Sequence, residues 1–202
     1  IKYAVNNGAK IINLSQGKDF SIQPKILHKA LSFAEKKNVL IVISAGNESL
    51  NLDNNWAFPK SIPRIFNKEF SNLIVVGATT KKIGTNLVSK SSNYGLKSVD
   101  IFAPGVDILT CLPNNKYNQS SGTSFSAPIV TNVAALIWSH YPKLKASQVK
   151  DIILKGGSTY EGIVNVPIDT DAKSEDTDFI AKQPFRNLSK SGKIINAYNA
   201  LI

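Results

Sequence analysis

Two uninterrupted apolar runs constrain the fold of this chain more than any other feature. Residues 39–45 and 73–79 are rich in valine and isoleucine and show no alternation between polar and apolar positions. Such runs are typical of strands that are buried on both faces of a parallel sheet. Strands of this kind need helices on both sides of the sheet to cover them.

Segments with helical periodicity alternate with these strands. Residues 24–37 carry apolar side chains at helical spacing and end in two lysines. We expect further strands at 10–15, 99–103 and 107–112, a helix that begins near Ser124, and another helix at 148–155. Residues 1–7 are typical of the end of a helix that stops at Gly8, residues 156–192 are expected to be irregular, and residues 193–202 to form a short helix or turn. The pattern predicts an α/β fold with a parallel sheet.

The charge of the chain invites a nucleic-acid interpretation, which the details disfavour. The net charge is +10, from 24 Lys and Arg against 14 Asp and Glu. A basic nucleic-acid module would bind DNA with a steep dependence on salt. However, the lysines are scattered, only Arg64 and Arg186 are arginines, and no basic helix is present. We therefore expect no nucleic-acid partner.

Two further classes are constrained by composition. No run reaches the roughly 18–20 apolar residues of a membrane span, so no membrane-spanning helix is expected. The single cysteine, Cys111, excludes a disulfide within the chain. Because it lies in an apolar-leaning run, we expect Cys111 to be a small buried residue.

Residues 122–128, Gly-Thr-Ser-Phe-Ser-Ala-Pro, form a flexible lead-in to a long apolar segment. Proline is tolerated in the first turn of a helix, so Pro128 places Ser124 at or just before a helix N-terminus. A hydroxyl there lies beside free backbone N–H groups and the positive end of the helix dipole. Ser124 is therefore either a simple helix cap or a nucleophile beside donors for an oxyanion.

Two strand ends carry small and polar residues, and in parallel α/β sheets sites lie beyond the carboxyl ends of strands. The first is Ser15-Gln16-Gly17, and the second is Ser44-Ala45-Gly46-Asn47. The Asn47 amide, on a rigid strand end, could donate to an oxyanion. It could equally be a turn residue after Gly46.

These segments resemble those of the subtilisin-like serine proteases. Residues 122–128 resemble the family's nucleophile motif, Gly-Thr-Ser-x-[Ala/Ser]-[Ser/Ala]-Pro. Residues 44–47 resemble the segment whose Asn completes the oxyanion hole, and residues 11–17 are similar to the substrate-lining strand. Residues 74–78, 102–106 and 194–197 also match, and all six segments occur in the family's order.

The resemblance implies a subtilisin-like three-layer α/β sandwich with a mostly parallel sheet, and a serine endopeptidase acting on polypeptides. Ser124 would form the acyl-enzyme and Asn47 would hold the oxyanion. The implied substrate-binding residues are Ser15, Gln16 and Gly17, which would pair with the substrate backbone, and Ser44, Ala45 and Gly46, which would form one wall of the pocket for the side chain before the cut bond.

The chain departs from the family in one respect. The family's catalytic Asp and His precede the substrate-lining strand, and neither motif is present here. The only histidines are His28, in a helix expected to be exposed, and His140, roughly 20 Å from Ser124 at 1.5 Å per residue. We therefore expect residues 1–202 to be a fragment, the C-terminal two-thirds of a catalytic domain, inactive alone. The alternative is a catalytically inactive protease-like binding domain.

Location, aromatic packing and metal binding follow from less local features of the sequence. Family habit implies a secreted or cell-envelope location, and the many Lys, Asn and Ile residues suggest a bacterial source. We expect Trp56 and Phe58 to belong to a local cluster that covers the sheet edge, with substrate contact as the alternative. No cofactor is expected, although structural calcium is an alternative for the acids that crowd one polar segment: Asp169, Asp171, Glu175, Asp176 and Asp178.

Overall fold

Buried apolar strands form the centre of the protein, whose computed structural model describes residues 1–18, 20–167 and 180–202. The central sheet contains β1 (Ile11–Leu14), β2 (Leu40–Ser44), β3 (Leu73–Thr79), β4 (Ile101–Pro104), β7 (Ser158–Thr159) and β10 (Lys193–Ile194). Two hairpins lie outside it, β5 (Ile108–Leu112) with β6 (Lys116–Ser120), and β8 (Ile163–Pro167) with β9 (Ile180–Pro184). The helices are α1 (Lys2–Asn6), α2 (Pro24–Lys36), α3 (Ile62–Ile65), α4 (Thr123–His140) and α5 (Ala146–Gly156), with a 3-10 turn at Phe185–Asn187.

The central sheet is mostly parallel. Its strand order is β1-β2-β3-β4-β10-β7, and only the β10–β7 pair is antiparallel. Every residue of β2 and β3 is buried. The burial on both faces that the two apolar runs predict is therefore confirmed.

Alternate residues of β2 build two cores on opposite faces of the sheet. Ile41 and Ile43 pack in the core that contains Leu31 and Ala34 of α2. Leu40 and Val42 pack on the other face, in the core formed with α4 and α5. Helix α4 lies across β1, β2, β3 and β4. The result is the three-layer α/β sandwich expected from the sequence.

Several predictions for the second half of the chain are wrong. The segment 156–192, expected to be irregular, contains β7, β8 and β9. In the segment 193–202, expected to be a short helix or turn, residues 193–194 instead form β10, which pairs Ile194 with Phe102 of β4, while residues 197–201 form a turn as expected. A two-residue strand is too short to show any periodicity, and its pairing depends on contacts that are distant in sequence.

The expected burial of Cys111 is also wrong. Cys111 is exposed and lies in β5, opposite Tyr117 of β6. The β5–β6 hairpin stands outside the central sheet, so an apolar-leaning run in it does not enter the core.

Trp56 and Phe58, which lie two residues apart, have different environments. Phe58 is buried and packs in the core on the α2 face of the sheet, as the local-cluster interpretation predicts. The Trp56 ring is about half exposed, and the Arg64 guanidinium lies 3.9 Å from its centroid. This geometry is typical of a cation–π contact.

Among the described residues, no group of three or more His, Cys, Asp and Glu side chains could hold a metal ion. The five acids of the 169–178 segment lie outside the described residues, so calcium there remains a prediction. None of the helices in the described ranges is long and apolar enough to cross a membrane.

Candidate active site

Ser124 is the second residue of α4, at the carboxyl-end edge of the sheet. The residue before the helix, Gly122, has φ of 140°, which disfavours any residue with a side chain. Its N–H donates to the Gly105 carbonyl at 2.7 Å and ties the helix start to the segment after β4. A β-carbon on Gly122 would lie 3.3 Å from Asn47 Nδ2, so glycine also lets Asn47 approach.

Not every backbone N–H group in the first turn of α4 has a hydrogen-bond partner among the described residues. The Thr123 N–H donates to Asn47 Oδ1 at 2.8 Å, and the Phe125 N–H donates to the Gly122 carbonyl at 3.0 Å. Between them, the Ser124 N–H has no hydrogen-bond partner within the described part of the chain. It is therefore a donor held at the positive end of an 18-residue helix.

The side chain of Asn47 is oriented by Thr123. Asn47 Oδ1 accepts both the Thr123 N–H at 2.8 Å and the Thr123 hydroxyl at 3.0 Å. Because donors hold the oxygen, the amide NH₂ is directed away from Thr123, and it has no partner among the described residues. The same Thr123 Oγ1 accepts the Gly46 N–H at 3.0 Å, which fixes the end of β2 against α4.

Ser15 joins the end of β1 to the same helix start. Its hydroxyl donates to the Ser124 carbonyl at 2.8 Å and accepts from Asn13 Nδ2 at 2.9 Å. Thr131 of α4 in turn donates to Asn13 Oδ1 at 3.1 Å. The Ser124 hydroxyl donates to the Ser15 carbonyl at 3.3 Å, a long hydrogen bond. Ser15, Asn47 and Ser124 are thus brought together as the sequence predicts.

Pro128 explains why the Ser124 carbonyl can accept the Ser15 hydroxyl. The expectation that Pro128 lies in the first turn is wrong, because α4 begins at Thr123 and Pro128 is within its second turn. A residue at this position would normally donate its N–H to the carbonyl four residues earlier, which is that of Ser124. Proline has no N–H. The carbonyl is left for a side chain from the sheet.

The other substrate-binding candidates form two facing segments. Gln16 and Gly17 are exposed after β1, whereas Ser44, Ala45 and Gly46 are buried at the end of β2. Sequence reasoning missed Lys60, whose ammonium group lies close to both segments. A β-carbon on Gly17 would lie 2.7 Å from Lys60 Nζ, and one on Gly46 would lie 3.0 Å from the same atom.

Asn93 is a second residue that sequence reasoning missed. Its Oδ1 accepts the N–H groups of Glu48 and Leu50, and its Nδ2 donates to the Ala45 carbonyl at 2.9 Å. Asn93 therefore holds the loop that follows Asn47. An asparagine in a loop rich in Ser and Asn gives no sequence signal of this role.

Neither histidine can serve Ser124 in this arrangement. His28 lies in α2, whose buried residues pack in the core on the sheet face opposite α4. It is half-buried, contrary to the exposure expected, because its ring packs 4.4 Å from that of Phe66 and 5.7 Å from that of Phe70. His140 is the last residue of α4. At 1.5 Å per residue it lies about 24 Å from Ser124.

Comparisons with known proteins agree with this fold. The model of the subtilase family matches residues 1–177. The cell wall-associated protease of Bacillus subtilis (strain 168) is 38% identical over 155 residues, which cover 77% of this chain and 15% of that protein. Subtilisin DY of Bacillus licheniformis is 31% identical over 174 residues, which cover 82% of this chain and 58% of that protein.

A solved structure gives the same result. The prenylagaramide maturation protease PagA superposes with a TM-score of 0.71 and 30% identity, over 99% of this chain and 64% of that one. The chain therefore spans less than two thirds of each of these three proteins.

Proposed function

Because the chain belongs to the subtilase family of serine proteases, we propose that it supplies the nucleophile, the oxyanion donors and part of the substrate cleft of an endopeptidase. One observation carries the proposal. The Ser124 N–H and the Asn47 NH₂ group have no hydrogen-bond partner among the described residues, while Thr123 holds Asn47 in place. Donors fixed before the reaction are what an acyl-transfer site needs.

The proposed chemistry is the formation and hydrolysis of an acyl-enzyme. Ser124 Oγ forms a bond to the carbonyl carbon of the cut peptide bond, and the carbonyl π electrons move to its oxygen. That oxyanion accepts hydrogen bonds from the Ser124 N–H and from Asn47 Nδ2. The C–N bond then breaks and the amine leaves with a proton, and water later releases the acyl group.

In our proposal, the 202 residues do not supply the general base for this reaction. The Ser124 hydroxyl donates to the Ser15 carbonyl, which cannot take its proton. His28 and His140 are both too far away, by the geometry given above. We propose that an Asp and a His from outside these 202 residues complete the site, and that the chain alone has negligible activity.

The test is hydrolysis of a chromogenic peptide, together with labelling of Ser124 by an organophosphate. The 202-residue chain should show neither rapid turnover nor rapid labelling. A protease that contains this chain together with a His and an Asp should show both, and Ser124→Ala should abolish them. Rapid turnover by the 202-residue chain would contradict the missing-base proposal. A longer protein that bound peptides without cleaving them would favour a protease-like binding domain.

The name of one relative bears on the location of the protein. One relative is by name a cell wall-associated protease. We propose a secreted or cell-envelope location, which fractionation of cells with an antibody to this chain would test. Recovery in the cytoplasmic fraction alone would contradict it.

A further inference from the structure

Asn93 is a buried side chain that holds the chain on both sides of Asn47. Its exposed fraction is 0%. Before Asn47, the Asn93 Nδ2 donates to the Ala45 carbonyl at 2.9 Å. After Asn47, the Asn93 Oδ1 accepts the Glu48 N–H at 3.1 Å and the Leu50 N–H at 2.8 Å. One side chain therefore fixes the backbone that leads into Asn47 and the backbone that leads away from it.

The segment that carries Asn93 is anchored to the central sheet. The Asn93 N–H donates to the Gly46 carbonyl at 3.0 Å, directly before Asn47. The Ser92 hydroxyl donates to the Asn93 carbonyl at 2.9 Å and accepts the Ala78 N–H, near the carboxyl end of β3, at 2.9 Å. Ser92 is itself fully buried. The position of Asn93 is therefore set by β3, the strand next to β2.

The turn that contains Asn47 needs such support. Gly46 has φ of 101° and Ser49 has φ of 62°, both in the left-handed region. A residue with a side chain, such as Ser49, rarely adopts that conformation, so contacts from outside the turn must hold it. Thr123 holds the Asn47 side-chain oxygen and the Gly46 N–H, but these contacts do not reach the residues after Asn47. Asn93 supplies an acceptor for two N–H groups there.

We propose that Asn93 is a positioning residue for the oxyanion donor, and that it sets the place of Asn47 Nδ2 without touching the substrate. The proposal rests on the proposed function, because it takes Asn47 as that donor. Groups of this kind must be held within about 0.5 Å of the productive geometry. Because the donor acts on the transition state, a displaced Asn47 lowers kcat more than it raises KM. A purely structural Asn93 would change stability alone.

Kinetics of Asn93→Ala test this role in a protease that contains this chain and a general base. With a chromogenic peptide, kcat should fall by about 10–30-fold, less than in Asn47→Ala, because the donor is displaced and not removed. KM should change by less than about threefold. Both constants are measured well below the temperature at which the variant begins to unfold, so that the loss reflects the folded enzyme.

Asn72→Ala is the matched control. Asn72 is 2% exposed, and its Nδ2 donates to the Val39 carbonyl at 2.7 Å, directly before β2 and β3 begin. Loss of this buried asparagine should also lower the urea midpoint of unfolding, because it leaves a buried carbonyl without its donor. It should leave kcat within about twofold of the wild type, because Asn72 lies at the opposite end of the strands from Asn47.

A double-mutant cycle measures whether Asn93 acts through Asn47. In the Asn47→Ala background the donor is already absent. Adding Asn93→Ala should then lower kcat by less than about twofold further, although it lowers kcat strongly when Asn47 is present. A role in stability alone would produce no such coupling in kcat.

A second variant keeps the test available if Asn93→Ala does not fold. Asn93→Asp, made together with Glu48→Gln, keeps the acceptor for the two N–H groups after Asn47 and places an amide donor beside the new carboxylate. It loses the donor to the Ala45 carbonyl. We therefore expect kcat to fall by about threefold to tenfold relative to Glu48→Gln alone.

The outcomes separate this inference from the proposed function. A loss of kcat in Asn93→Ala that disappears in the Asn47→Ala background is the expected result. An unchanged kcat in folded Asn93→Ala would overturn the inference, and so would a loss that persists in full when Asn47 is absent. If Asn47→Ala itself did not lower kcat, the proposed oxyanion donor would be wrong and the inference would fail with it.

Discussion

At the amino end of β4 a buried carboxylate is paired with two lysines, whereas beyond the carboxyl ends of β1 and β2 two donors have no partner among the described residues. Asp100, which is 2% exposed, accepts the Val75 N–H at 2.7 Å and lies 3.1 Å from Lys150 Nζ. Lys190 Nζ lies 3.7 Å from Asp100 and 2.9 Å from Glu69. Burial alone would lower the pKa of Lys190, but these carboxylates outweigh it and raise that pKa above its ordinary value.

The site at Ser124 uses its hydrogen bonds differently. Those of Thr123 and Ser15 fix the groups around the nucleophile, while the Ser124 N–H and the Asn47 NH₂ group remain unused among the described residues. Paired groups stabilise a fold, and unpaired donors held by paired ones are available to a ligand. The comparison predicts that substitutions at the amino ends change stability, and those at the carboxyl ends change chemistry.

The largest effect should follow the loss of Asp100. Asp100→Ala leaves Lys150 and Lys190 close together without their shared counterion, and we expect the free energy of unfolding to fall by about 3 kcal/mol or more. Urea denaturation of the chain measures it. Asp151→Ala, at the exposed neighbour of Lys150, should change it by less than about 0.5 kcal/mol.

Asp100→Asn keeps this prediction testable if Asp100→Ala does not fold. Asp100→Asn keeps an acceptor for the Val75 N–H but loses the charge, so its loss of stability should be smaller than that of Asp100→Ala. Equal stability of Asp100→Ala and the wild type would show that the charged cluster contributes nothing, and would remove one side of the comparison.

The second largest effect should follow the loss of Asn47, and it should change the reaction rate and not the stability. In a protease that contains this chain and a general base, Asn47→Ala should lower kcat by about 10²–10³-fold with little change in KM. The exposed Asn54, substituted in the same way, should change neither. The free energy of unfolding, measured in urea, should change by less than about 1 kcal/mol, because water can replace Asn47 as the acceptor for Thr123. A large loss of stability with kcat intact would make Asn47 a structural turn residue.

Thr123 should show both kinds of effect at once, because it joins the two. Thr123→Val removes the acceptor of the buried Gly46 N–H, and we expect a loss of about 1–3 kcal/mol in urea denaturation. It also removes one of the two donors that orient Asn47, so kcat should fall by less than in Asn47→Ala. Thr123→Ser keeps the hydroxyl and should restore most of both. A Ser variant as impaired as Val would show that the methyl group matters and the hydroxyl does not.

The sequence predicted the elements whose burial is local and continuous. β2 and β3 are solid apolar runs, and α2 has a clear apolar stripe. The strand β6 was missed because its Lys-Tyr-Asn-Gln-Ser sequence is polar and mostly exposed, so it shows no buried face. β10 was missed because two residues carry no period.

The candidate site also contains residues that the sequence predicted and one that it did not. Ser124 and Asn47 follow from motifs that lie at strand and helix ends, but Lys60 does not. Its surroundings are residues 43 and 14 positions away in the chain, Gly17 and Gly46, and a lysine in a polar loop normally predicts exposure. Which lysine is buried is decided by tertiary contacts that no single sequence displays.

Pro128 gives the smallest effect and the most direct test of how the site is held. Pro128→Ala restores an N–H that can donate to the Ser124 carbonyl and so compete with the Ser15 hydroxyl. We expect the free energy of unfolding to rise by about 1 kcal/mol, less than the ~3 kcal/mol typical of a proline inside a helix, because the carbonyl already has a partner. In the complete protease kcat should fall by about tenfold or less, since the link to β1 is loosened.

Ser15→Ala is the control for Pro128→Ala, because it removes the donor and leaves the proline. It should lower kcat by a similar factor without the gain in stability, and combining the two substitutions should cost little more than either alone. If the proline is there to leave the Ser124 carbonyl for the sheet, stability and rate must move in opposite directions in Pro128→Ala. A variant that gained stability with kcat unchanged would show that the Ser15 hydrogen bond is incidental to the chemistry, and that only the amide donors distinguish this end of the sheet from the other.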